Sequence, residues 1–98
     1  MRVVFAPEAR LEYEEAVRYY NRQSPGLGEG FRDEIRAALS LIRIWPLSCP
    51  VERRDIRRLT LSRFPYKVLY SVESDHLYLI AIAHQHRAPD YWCERTSD

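Results

Sequence analysis

Ile56-Arg-Arg-Leu-Thr-Leu-Ser-Arg-Phe-Pro-Tyr-Lys-Val-Leu-Tyr-Ser-Val72, then, after a turn, Leu77-Tyr-Leu-Ile-Ala-Ile-Ala83, decide the fold of this chain. From Ile56 to Ser62, Arg and Leu interleave at a spacing near two, the period of a strand. From Tyr66 to Glu73, Tyr66, Val68, Tyr70 and Val72 fall on one face. Ser74-Asp75 supplies a tight turn, and His76 to Ala83 reads as the next strand. Two successive hairpins of this kind form an antiparallel meander.

Upstream, the period changes from two to three and four. Arg2 to Ala6 is short, β-branched and aromatic, a first strand. Pro7 suits the first position of a helix, and Glu8 in its first turn complements the helix dipole. Ala9, Tyr13, Ala16, Val17 and Tyr20 form one helical stripe, broken by Asn21 to Pro25. A second helix is expected from Leu27 to Ile44, with Phe31, Ile35, Ala38, Leu39 and Ile42 inward and Gly28 and Gly30 weakening its first turn. Pro46 and Pro50 stop it, and Trp45 is expected to plug the end of the helical hairpin. The fold class is therefore α+β: a small antiparallel β-sheet in the order β-α-α-β-β-β, with an N-terminal helical hairpin packed on one face.

At 98 residues, with 46% hydrophobic and 12% aromatic residues, the expectation is a single domain, residues 1–98, with one modest core. No stretch approaches about 18 consecutive apolar residues, so no membrane segment is expected. Cys49 and Cys93 lack metal-site spacing and read as reduced thiols of a cytoplasmic protein. The polar end, residues 96–98, is expected to fray.

Net charge is only +1, but the cations are unevenly placed. Between Arg53 and Lys67 six cations face a lone Asp55, a local +5. Fourteen of the fifteen cations are Arg, which suits bidentate contacts to carboxylate or phosphate, although Arg usage also follows genomic composition. Arg57 and Arg63 share strand parity with Leu59 and Leu61, whereas Arg58 shares it with Ile56, Thr60 and Phe64. Two readings stay open: a surface for phosphate or acidic protein segments, and an edge strand guarded against aggregation by charge.

After the last strand come His84, His86, Arg87 and Tyr91. The two histidines have one parity; imidazole and phenol are possible proton carriers, and Arg87 a stabiliser of phosphate charge. The alternative is that the histidines merely finish a strand. No third and fourth ligand stand at zinc spacing, so no metal is expected, and no cofactor motif is present. Trp92 reads as a lid on the core, with Tyr91 open between stacking and packing. Of Tyr19-Tyr20, one ring is expected inward and the other half exposed.

Phe64-Pro65-Tyr66-Lys67-Val68-Leu69-Tyr70, the strand Leu77 to Ala83, and His84-x-His86-Arg87-x-Pro89-x-Tyr91-Trp92 resemble the RelE/ParE superfamily of toxins from bacterial type II toxin–antitoxin modules. Ala9 to Tyr20, followed by Ser24-Pro25 and Phe31, fits that family's helical hairpin, so the likeness covers nearly the whole chain. It implies a cytoplasmic growth inhibitor neutralised by a cognate antitoxin in a hetero-oligomer. ParE-like members inhibit DNA gyrase by binding it; RelE-like members cut mRNA on the ribosome without a metal. For the nuclease branch the resemblance implies Lys67, His84, His86, Arg87 and Tyr91 as catalytic residues. Thr60 stands where that branch has a lysine, and Cys93 fills the tyrosine slot in an ungapped comparison. The long helix pair favours the ParE branch, in which Arg57, Arg58 and Arg63 would bind the target.

Overall fold

In the computed structural model, which describes residues 1–95, Pro7 separates a short strand from the first helix. Strand β1 spans Arg2–Phe5, and helix α1 spans Pro7–Gln23 with Pro7 in its first turn. Pro suits that place because its missing N–H is one the helix would leave unpaired. Gly26, at φ 89°, turns the chain in the left-handed region and starts α2, Leu27–Ile44. Strands β2 (Val51–Arg53), β3 (Ile56–Thr60), β4 (Tyr66–Val72) and β5 (His76–His84) follow, then a single 3-10 turn at Cys93–Arg95. The expected fraying of residues 96–98 lies outside the described residues.

The sheet has five strands in the order β1-β5-β4-β3-β2. The meander β3-β4-β5 is antiparallel as expected, but β1 joins β5 in parallel, pairing Arg2 with His76 and Phe5 with Leu79. The sheet is therefore mixed. The helical hairpin supplies the crossover that a parallel neighbour requires. Strand β2, not anticipated from sequence, is only three residues long and caps the far edge.

The helices cover one face. Ala16, Val17, Phe31, Ile35, Ala38 and Ile42 pack on Val68, Tyr70, Leu77, Leu79 and Ile82. An aromatic knot ties hairpin to sheet: Phe31 lies 5.6 Å from Tyr20, 5.2 Å from Phe64 and 5.1 Å from Tyr66, ring centre to ring centre. Tyr20 turns inward onto this knot while Tyr19 is exposed. On the opposite face Ile56, Leu69, Ile80, Ala81 and Ala83 lie under Trp92, which is 2% exposed. Trp92 is thus the expected lid.

One further sequence expectation, the place of Trp45, differs. Trp45 is 60% exposed and plugs nothing; the hairpin end is closed instead by buried Cys49 and by Tyr70, whose hydroxyl donates to the Pro46 carbonyl at 2.8 Å. Gly28 is a contact point as well as a weak helix former. A Cβ there would stand 2.5 Å from the Val17 carbonyl oxygen and 2.6 Å from Asn21 Cγ, and its N–H donates to Asn21 Oδ1 at 2.8 Å. Only glycine lets the helices approach this closely.

Candidate functional site

Strand β5 outlasts its parallel neighbour. The last β1-side backbone bond is Ala6 N–H to the Leu79 carbonyl, after which the chain leaves as α1. Side chains finish the edge: the Ile82 N–H donates to Glu12 Oε1 at 3.0 Å, and Arg95 Nη1 donates to the Ile80 carbonyl at 3.2 Å. Glu12, one turn into α1, gathers the C-terminal segment. Tyr91 Oη donates to it at 2.7 Å, and Arg95 grips it through two nitrogens at 3.0 and 2.9 Å. Both side chains of the Glu12–Arg95 pair are nearly buried, at 13% and 14% exposure. Arg87 lies 3.9 Å from the same carboxylate and stacks over the Tyr91 ring at 3.9 Å.

Beside this knot runs a cleft of about 500 Å³ between α1 and the end of β5, walled by Glu15, Arg18, Tyr19 and Arg22 from the helix and by Tyr66, Ile82, His84 and Arg87 opposite. Behind it a depression of about 100 Å³ is bordered by Lys67, His84, Arg87 and Tyr91. The structure thus gathers four of the five residues of the nuclease reading around one small hollow. His86 is not in its walls; its ring sits 5.1 Å from His84.

Three of these four, Lys67, Tyr91 and His84, are held by partners. Lys67 Nζ lies 2.6 Å from Glu52 Oε2, both side chains largely covered. Burial pushes the Tyr91 phenol far above its ordinary value, and its hydrogen bond to Glu12 and that carboxylate's charge add to the rise. Burial, then the nearby phenols of Tyr20 and Tyr19, push Tyr66 up to about 12. Neither phenol is poised to lose a proton near neutrality. His84 Nδ1 accepts the His86 N–H at 3.0 Å, so the neutral ring carries its proton on Nε2. Burial, with the charge of His86 second, holds His84 below the usual imidazole value. It is therefore neutral at pH 7, a donor at Nε2 with its Nδ1 lone pair engaged by the His86 N–H.

Arg57, Arg58 and Arg63, the target-binding set of the ParE reading, do not share one face, as their strand parity indicates. Arg57 stands opposite Tyr70 and Arg58 opposite Leu69, so they point to opposite faces of the sheet. Arg57 donates to the Cys49 carbonyl at 2.6 Å; Arg58 donates to the Val51 carbonyl at 3.1 Å and meets Glu52 at 3.4 Å. Arg63 lies beyond the strand, its guanidinium over the Phe64 ring at 5.4 Å. The physical reason is strand alternation: neighbours in sequence face apart. Arg53 is turned aside as well, 2.6 Å from Asp90 and 3.6 Å from Cys93 Sγ.

Glu12, Glu52 and Arg95 organise the site and carry no motif. Glu12 sits between apolar-stripe positions of α1 and meets partners 70 to 83 residues away, so nothing local marks it. Among the described residues no three His, Cys, Asp or Glu side chains gather closely enough to hold a metal ion. No helix there is long and apolar enough to cross a membrane.

Comparison with known proteins gives one family. The model described as the ParE toxin of the type II toxin–antitoxin system, parDE, matches residues 3–89. A solved chain described as the chromosomal ParDE toxin–antitoxin system from P. aeruginosa has the same fold. It aligns with a TM-score of 0.63 over 86% of this chain and 95% of its own, at 16% identity. No curated protein matches by sequence.

Proposed function

Because the chain belongs to the ParE toxin family of type II toxin–antitoxin systems, we propose that it arrests growth by binding DNA gyrase and that a cognate antitoxin neutralises it in a cytoplasmic hetero-oligomer. The observation that carries this reading is that each of the two cations a nuclease would place on a scissile phosphate has a carboxylate beside it. Lys67 is held by Glu52, and Arg87 shares Glu12 with Tyr91 and Arg95. A phosphate entering the hollow would meet those two carboxylates, while the Tyr91 phenol is bound to Glu12 and the free lone pair of the His84 ring is taken up by the His86 N–H. Binding needs none of this chemistry. An exposed apolar run, Leu41, Ile44, Trp45, Leu47 and Val51, further supports a protein partner.

The rival reading is a ribosome-dependent, metal-independent endoribonuclease, and the convergence of Lys67, His84, Arg87 and Tyr91 on one hollow favours it. A supercoiling assay with purified gyrase, beside an mRNA cleavage assay on translating ribosomes, separates the two. Our reading expects loss of supercoiling and intact mRNA. Intact supercoiling with cleaved mRNA would replace it by the nuclease.

A further inference from the structure

We infer that the cleft between α1 and the end of β5 receives an acidic, extended segment of a protein partner, held by Arg18, Arg22 and Arg87. This rests on reading the chain as a protein binder, but not on which protein it binds.

Arg18 and Arg22 are four residues apart on α1, so they stand one above the other on the same face. Both are exposed cleft walls, and among the described residues neither enters an ion pair. Arg87 faces them, its side chain 53% exposed. Among the described residues its one ion-pair partner is Glu12, which is already occupied at shorter range by the Ile82 N–H, Tyr91 and Arg95. Arg87 therefore retains charge for a second anion. Planar guanidinium groups on both sides of a cleft suit bidentate carboxylates.

The rest of the lining selects peptide over nucleic acid. Glu12 and Glu15 share the cleft with the arginines. A polyphosphate backbone, charged at every repeat, would meet that repulsion whatever its register. A peptide can set its carboxylates against arginine and turn apolar side chains to the exposed Tyr19 and to Tyr66. At about 500 Å³ the cleft lies within the roughly 300–1,000 Å³ of sites that enclose small ligands, enough for a few extended residues and too little for a helix.

The test is fluorescence anisotropy on the full chain with three labelled probes: a hexapeptide alternating Glu and Leu, one alternating Lys and Leu, and hexauridylate. The Glu–Leu peptide should bind, more weakly as salt rises, and the Lys–Leu peptide should not. Arg18→Ala with Arg22→Ala should weaken the acidic peptide by about tenfold, as loss of two exposed ion pairs implies. Arg43→Ala, an exposed cation outside the cleft, should leave it unchanged. Arg18→Glu with Arg22→Glu should reverse the preference toward the Lys–Leu peptide, which mere misfolding would not do. Equal affinity in the double alanine variant, no binding of the acidic peptide by the wild-type chain, or tighter binding of hexauridylate would each overturn the inference. Failure of the gyrase assay with peptide binding intact would remove gyrase as target and leave the cleft standing.

Discussion

Glu12 shows how much one side chain holds. Its carboxylate satisfies a strand N–H, a phenol and a guanidinium that are otherwise largely out of water. Glu12→Ala leaves all three without their partner, and we expect a loss of about 3 kcal/mol, the range for breaking a covered ion pair. Urea unfolding checks this; a loss under about 0.5 kcal/mol would mean that water replaces the carboxylate without cost. Glu34 offers a pH-dependent counterpart. Burial would raise its carboxyl, but hydrogen bonds from the Ser62 N–H and hydroxyl and the Arg63 N–H outweigh that and hold it below the ordinary value. A carboxyl lowered in the folded state stabilises fully above its unfolded value and loses that contribution as pH falls through the folded one. Glu34→Gln should therefore cost about 1 kcal/mol at pH 7. Urea midpoints of the two proteins should converge as the pH is taken below the ordinary carboxyl range; a constant gap would show that the carboxylate charge is not involved.

At the scale of elements, the close approach of α1 and α2 depends on Gly28. Gly28→Ala drives a methyl group onto the Val17 carbonyl and Asn21, and either the hairpin opens or the start of α2 shifts. Overpacking of this kind costs about 2 kcal/mol, read as a lowered thermal midpoint. An unchanged midpoint would mean that the hairpin is slack at that end. The helices and the meander were legible because their apolar residues keep the right period: α2 runs Leu27–Ile44, as its spacing and flanking prolines require. The parallel partnership of β1 and β5 was not, since it joins segments more than seventy residues apart and leaves no local pattern. Strand β2 is too short to show a period. Trp45 misled because size argues for burial, whereas the turn beyond α2 is closed by Tyr70 and Cys49.

For the molecule as a whole, sequence disclosed which residue types crowd the end of β5 but not which of them remain available. Lys67, His84, Arg87 and Tyr91 border one hollow, yet the carboxylates that hold Lys67, Arg87 and Tyr91 come from α1 and β2, where no motif points to them. On the cationic strand the opposite facing of Arg57 and Arg58 was legible, since strand alternation alone requires it. If Lys67 serves only its bond to Glu52, Lys67→Met should leave growth arrest on induced expression within about twofold of wild type, whereas losing a charge that stabilises a phosphoryl transition state costs orders of magnitude. The most direct test of the central claim, that this protein inhibits by binding and not by catalysis, is the supercoiling activity of purified gyrase titrated with the wild-type chain. The account predicts that inhibition rises with toxin concentration and saturates near stoichiometry with gyrase, while mRNA on translating ribosomes stays whole. Undiminished supercoiling, together with mRNA cleavage that Arg87→Ala abolishes, would contradict it.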